Sequence, residues 1–93
     1  MAEEKKEIHI YVKGEVQGVF FRATTKQIAD SMHLKGWVKN LDNGDVEICL
    51  AGTKEEAEKL IERLKKDPKP RIDQVTMQSS PLKKDFSDFK IIY

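Results

Sequence analysis

Apolar and polar positions change period several times along the chain, and each change marks an element. Ile8, Ile10 and Val12 alternate with His9, Tyr11 and Lys13, which predicts a half-buried strand over 8–14. From Phe21 to Leu34, the residues Phe21, Ile28, Ala29 and Met32 fall near one side of a 3.6-residue helix, with Thr24, Lys26, Gln27 and Asp30 elsewhere. Gly36 is expected to stop that helix and open the next element. WVKNL and VEICLA read as two short strands joined through DNG, where Asn43-Gly44 suits the positive φ angles of a type I′ hairpin. Val46, Ile48 and Leu50 mark the buried face of the second arm. Thr53 with Glu56 forms a capping box, and Ala57, Leu60, Ile61 and Leu64 follow as an i, i+3, i+4, i+7 stripe. Asp67-Pro68-Lys69-Pro70 ends this second helix, because proline breaks helix at its own position and disfavours it one residue earlier. QVTMQS alternates again around Val75 and Met77, and FKIIY sets Phe89, Ile91 and Tyr93 on one side of a last short run.

The resulting order is β-α-β-β-α-β with room for an extra edge strand. It predicts an α+β, ferredoxin-like sandwich: one mostly antiparallel sheet with two helices on one face. Many activities share that architecture, so it assigns none. The 93 residues suit one compact domain, read here as 1–93 with 1–6 frayed. Seventeen Lys and Arg against 16 Asp and Glu leave a formal charge of +1, which provides no electrostatic drive towards nucleic acid or an anionic membrane. One cysteine, Cys49, cannot form an internal disulfide, and MAEEKKE lacks the apolar centre of a signal peptide, so a cytoplasmic location is expected. No apolar run approaches the ~20 residues of a membrane helix.

Chemistry concentrates in GEVQGVFFR, Gly14 to Arg22, between the first strand and the first helix. A turn entering a helix directs backbone N–H groups to the positive end of the helix dipole, a ready anion site. Gly14 and Gly18 allow the backbone to curl so that several N–H groups converge. Arg22 adds a planar, permanently charged fork suited to two phosphate oxygens. At ~4 Å and an effective dielectric near 20, one such charge pair is worth about 4 kcal/mol before desolvation. The plain alternative is a glycine-containing turn whose arginine pairs with a nearby carboxylate, and spacing alone leaves both open. A Walker A loop is excluded: three residues separate the glycines instead of four, and no Lys-Ser/Thr follows. GxGxxG is also missing, so nothing supports a dinucleotide cofactor.

GEVQGVFFR followed by GWVKN at Gly36 to Asn40, and then a turn with VE, resembles the acylphosphatase family over nearly the whole domain, Ile8 to Tyr93. The resemblance implies a small ferredoxin-like enzyme that hydrolyses an acyl phosphate to carboxylate and inorganic phosphate without metal or organic cofactor. It implies that Arg22 binds the phosphoryl group and that Asn40 orients the attacking water. It further implies that the loop amides of Glu15, Val16, Gln17, Gly18, Val19, Phe20 and Phe21 cradle the phosphoryl oxygens. The expected partner is a small acyl phosphate, with inorganic phosphate as product, no nucleic acid or membrane partner, and the chain itself a monomer. Some of Val16, Val19, Phe20 and Phe21 should anchor the loop to the core. Two departures stand out: Glu15, where the family more often has a basic or neutral residue, is expected to face water, and Asn43-Gly44 replaces the more common Asp-Gly.

The remaining tempting residues are read as structural. His9 and His33 lie apart in sequence, without cysteine or carboxylate partners at metal-ligand spacing, so surface roles are expected and no metal site is assigned. Cys49 lies opposite Val46, Ile48 and Leu50 on its strand and is read as packing or a spare thiol. LDNGDVE lacks the spacing and final glutamate of a calcium loop. Trp37 is expected to pack at the core or its rim. The second helix should show a solvated face with pairs between Glu58, Glu62 and Lys65, Lys66. Two other functions fit the element order: a phosphate-binding module without turnover, which retention of both Arg22 and Asn40 opposes, and single-stranded RNA binding. The latter would need aromatics on the central strands, and VEICLA has none.

Overall fold

The computed structural model describes residues 5–17, 20–66, 71–83 and 85–93. In chain order the elements are β1 (Lys6–Glu15), α1 (Phe21–Ser31), β2 (Lys35–Asn40), β3 (Val46–Gly52), α2 (Lys54–Leu64), β4 (Arg71–Pro81) and β5 (Phe89–Ile92). The strands form one sheet in the order β4-β1-β3-β2-β5, antiparallel except for the β2–β5 pair. Two helices packed on a mostly antiparallel sheet realise the expected ferredoxin-like α+β fold, and the extra strand is β5.

Period-2 alternation places Ile8, Ile10 and Val12 of β1 beside Val46, Ile48 and Leu50 of β3, all buried beneath α1 and α2. Ala29, Ala57, Leu60 and Leu64 complete that core from the helices. Each large aliphatic side chain withdrawn from water there contributes roughly 1.5–3 kcal/mol. Alternation in β4 breaks because its register against β1 shifts between Lys13 and Gly14, so Gln74 faces Lys13 while Ile72 faces Gly14. The bulge returns Ile72, as well as Val75 and Met77, to the core side, and it hides the first part of β4 from a strict period-2 reading.

Several expected boundaries move, for local reasons. Lys6 pairs with both Gly52 and Pro81, so residue 6 is part of the sheet and not frayed. Helix α1 ends at Ser31, short of Leu34. His33 takes φ 59°, its N–H donates to Asp30 O at 3.0 Å, and the Leu34 N–H donates to Ala29 O at 2.8 Å. That pairing is a Schellman ending with histidine in the position glycine more often fills. Gly36 therefore does not stop the helix; it lies within β2, where an added Cβ would fall 1.9 Å from Cys49 O.

The β2–β3 connection also departs from type I′ geometry. Gly44 N–H donates to Leu41 O at 3.2 Å, Leu41 N–H donates to Asp45 O at 2.8 Å, and only Gly44 carries a positive φ within DNG. Asn43 Oδ1 accepts from the Asp45 N–H at 3.0 Å, a side-chain contact that holds the turn without left-handed backbone at Asn43. In α2 the capping box forms as expected, with Glu56 N–H donating to Thr53 Oγ1 at 3.1 Å and Thr53 N–H to Glu56 Oε1 at 2.9 Å. Among the described residues an ion pair joins Glu55 to Lys59 on this helix, and none joins Glu58 or Glu62 to Lys65 or Lys66 as expected. The expected proline stop at Asp67 to Pro70 lies outside the described residues. In β5 Phe89 is buried and Ile91 half-buried, whereas Tyr93 follows the strand and is 94% exposed.

Candidate active site

Strand β1 delivers the GEVQGVFFR segment to one end of the sheet. Gly14 is needed where β1 and β4 approach closely, since a Cβ there would meet Arg71 O at 2.2 Å. Glu15 points to water as expected, and its Oε1 lies 3.3 Å from an Arg71 guanidinium nitrogen, so a cation balances its charge. Val16 is buried. Gln17 is exposed, yet its Nε2 donates to Leu41 O at 2.5 Å and to Asp45 O at 2.8 Å, tying the segment to the β2–β3 turn. Gly18 and Val19 lie outside the described residues.

Phe20 stands at the N-cap of α1 with φ 83° and is 74% exposed, whereas Phe21 is buried. The anchors among the described apolar members are thus Val16 and Phe21, and Phe20 is not one. No side chain caps α1, and its first turn contains no acidic residue. Its leading N–H groups and the positive end of its dipole therefore face this segment without a negative side chain of their own turn.

Arg22 rises from the first turn of α1. Its Nη1 donates to Ile92 O at 3.1 Å, and its guanidinium carbon lies 4.6 Å from the centroid of the Tyr93 ring. Asn40 closes β2, and its Oδ1 is buried without a hydrogen-bond partner among the described residues. Register relates the two: Ile92, which accepts from Arg22, sits opposite Lys39 in the parallel pair, one residue from Asn40. Asn40 in turn pairs with Val46, and Val46 with Val12, just before the segment leaves β1. Arg22, Asn40 and Gln17 thus gather at one end of the sheet.

The sheet's other face carries a second polar group. His9 Nδ1 lies 2.9 Å from Glu47 Oε2, and Nε2 lies 2.8 Å from Glu7 Oε2 and 3.8 Å from Cys49 Sγ. Histidine at position 9 is therefore not the isolated surface residue that its sequence neighbours suggest. Partial burial opposes its charge, but hydrogen bonds and attraction from Glu47 and Glu7 outweigh burial and raise its pKa. Burial and the negative charge of Glu47 push the Tyr11 phenol up. Trp37, expected at the core or its rim, instead lies half-buried on this opposite face, edge-on to His9 at 6.1 Å and with its ring centroid 5.2 Å from Lys39 Nζ.

Sequence reasoning missed the Gln17 tether, the Arg22–Tyr93 contact and the partners of His9. The first two join residues far apart in the chain and leave no local signal. The third had one: Glu7 and His9 share one strand face, as do Glu47 and Cys49, and pairing β1 with β3 brings the two faces together.

Fold and site together define a ferredoxin-like α+β domain with an arginine and an uncapped helix start at one end of its sheet. The family model described as Acylphosphatase matches residues 8–91. An acylphosphatase of Syntrophus aciditrophicus is 42% identical over 89 residues, covering 95% of this chain and 93% of that protein. One from Pyrobaculum islandicum is 40% identical over 91 residues, 96% of each chain. The crystal structure of acylphosphatase from Bacillus subtilis superposes with a TM-score of 0.84 at 34% identity, covering 95% of this chain and 99% of that one. The chain belongs to the acylphosphatase family and is an enzyme of that kind, a hydrolase. Among the described residues no helix is long and apolar enough to cross a membrane.

Proposed function

We propose that the chain hydrolyses the carboxyl–phosphate bond of small acyl phosphates, with Arg22 and the amides of 15–21 holding the phosphoryl group and Asn40 orienting the attacking water. The buried Asn40 Oδ1, unpartnered among the described residues, is the observation that carries this reading. A desolvated carbonyl oxygen without a partner costs roughly 1–3 kcal/mol, and a water at the site would satisfy it. Such an oxygen accepts a hydrogen bond but cannot act as a general base near neutral pH. A strong base is unnecessary here, because the departing carboxylate is a good leaving group and needs no protonation. Positioning and charge stabilisation supply the catalysis, and the water's proton passes to a phosphoryl oxygen.

Arg22 suits the phosphoryl role because Tyr93 occupies one face of the guanidinium and leaves its edge donors in plane. Both proposed catalytic side chains come from one chain, which supports action as a monomer, and the single cysteine suits a reducing cytoplasm. The carboxylates of Glu7 and Glu47 on the open sheet face argue against RNA as a ligand. The decisive assay is hydrolysis of benzoyl phosphate with EDTA present. Arg22→Ala and Asn40→Ala should each lower kcat/KM by about 100-fold or more with unchanged circular dichroism. Full activity in Arg22→Ala would overturn the assignment, and phosphate binding without any turnover in the parent chain would make it a binding module.

A further inference from the structure

The open face of the sheet carries Glu7, His9 and Cys49 with one ligand atom each, all within 4.8 Å of one another. Backbone geometry brings them together. Glu7 and His9 are two residues apart on β1 and so point the same way, and Cys49 of β3 is the direct cross-strand partner of His9. Nothing in the proposed hydrolysis uses these residues: Glu7 and His9 lie three positions or more along β1 from Val12, and Cys49 lies three along β3 from its partner Val46, which sets them about 10 Å from that pair.

From this geometry we infer a tetrahedral site for Zn2+, or a similar divalent metal, with Glu7, His9 Nε2 and Cys49 as protein ligands and water in the fourth position. Bond lengths of ~2.0–2.3 Å in such a site set ligand atoms ~3.3–3.7 Å apart. The observed separations from His9 Nε2, 2.8 Å to Glu7 Oε2 and 3.8 Å to Cys49 Sγ, bracket that range, and the Glu7 and Cys49 atoms lie within 4.8 Å of each other, so side-chain adjustments of about an ångström admit the ion. Thiolate, imidazole and carboxylate together suit zinc better than calcium or magnesium, which take oxygen ligands.

A second arrangement points the same way. Glu47, with a side chain only 12% exposed, sits 2.9 Å from His9 Nδ1. A carboxylate there accepts the Nδ1 proton, so that once a metal displaces the Nε2 proton now shared with Glu7 the lone pair is held facing Glu7 and Cys49, the carboxylate–histidine relay that orients metal-bound imidazoles. Trp37 packs edge-on against His9 at 6.1 Å on the same face. His9 and Glu7 stay 25% and 21% exposed, which provides an entry path. Binding displaces protons from Nε2 and the thiol to solvent. The ion staples β1 to β3 and takes no part in hydrolysis.

The test titrates Co2+ into the full chain, reduced and stripped with EDTA. One equivalent per chain should raise a thiolate-to-cobalt charge-transfer band in the near ultraviolet with intense tetrahedral bands in the visible, and Zn2+ should abolish both. Cys49→Ser should lose the charge-transfer band. Glu47→Gln should weaken Zn2+ binding about 10- to 100-fold while retaining the band at saturation. Should Cys49→Ser fail to fold, Glu7→Gln serves instead, losing affinity at a more exposed position. Absence of the band in the parent chain, or an unchanged cobalt spectrum in the Cys49 and Glu7 variants, overturns the inference.

Discussion

The Tyr93 ring lies against the guanidinium of Arg22 at 4.6 Å, while the preceding carbonyl, that of Ile92, accepts from Nη1. The arginine that starts α1 is therefore aimed by residues that follow it by about seventy positions. A cation–π contact of this kind contributes roughly 0.5–1 kcal/mol at an exposed site. Tyr93→Ala should raise KM for benzoyl phosphate about 2- to 5-fold with little change in kcat. Steady-state kinetics that return the parent KM would remove Tyr93 from any positioning role.

Arg22→Lys keeps the charge but replaces a planar fork with a point donor. The variant should stay folded and bind inorganic phosphate weakly, yet recover less than about a tenth of the parent kcat/KM. Near-parent turnover would show that charge alone suffices.

Gln17 donates to two carbonyls of the β2–β3 turn. In Gln17→Ala both acceptors return to water, at a cost to stability of about 1–2 kcal/mol by the usual worth of one or two hydrogen bonds. The loop and Asn40 then lose their tether, so kcat should fall several-fold. Unfolding in urea and kinetics on one sample separate the two effects, and an unchanged kcat would count against the tether.

Gly36→Ala forces a Cβ to 1.9 Å from Cys49 O at a backbone φ of 151°. Strands β2 and β3 would have to part, and stability should drop on the order of 3 kcal/mol, with the urea midpoint as the readout. A shift below about 0.5 kcal/mol would mean that the sheet opens more readily than its geometry indicates.

Thr53→Ala removes the capping hydroxyl of α2 and leaves Arg22, Asn40 and the Gly14–Arg22 segment untouched. Stability should fall by about 1 kcal/mol, a Tm drop of about 4–8 °C for a domain of this size. Hydrolysis at 25 °C should not change.

The elements were legible where one periodicity ran unbroken. The stripe Ala57, Leu60, Ile61, Leu64 and its capping box specify α2 locally, and all four apolar residues are buried. The ending of α1 was not legible, because histidine rather than glycine takes the left-handed position at residue 33. The start of β4 was masked by the bulge opposite Gly14. At the proposed hydrolytic end, Arg22 and Asn40 could be singled out through two motifs. Their supports, Gln17 on the turn and Tyr93 on the arginine, depend on strand register, which no local pattern encodes. The cluster around His9 left half a signal, since Glu7 and His9 share one face of β1 and Glu47 and Cys49 one face of β3, but only the β1–β3 register joins the two.

The register of the sheet also constrains the order in which this enzyme comes into being. Lys6 pairs with Pro81, and Arg22 reaches Ile92, so the contacts that complete the sheet and orient the arginine span most of the chain. Closing such distant pairs must precede the reward they bring, which places folding nearer the millisecond-to-second range of non-local topologies than the microseconds of helical bundles. A ribosome-bound chain that has already built α1 and the β2–β3 hairpin would still hold an unaimed arginine. Competence to bind phosphate should therefore wait on the docking of β5 against β2.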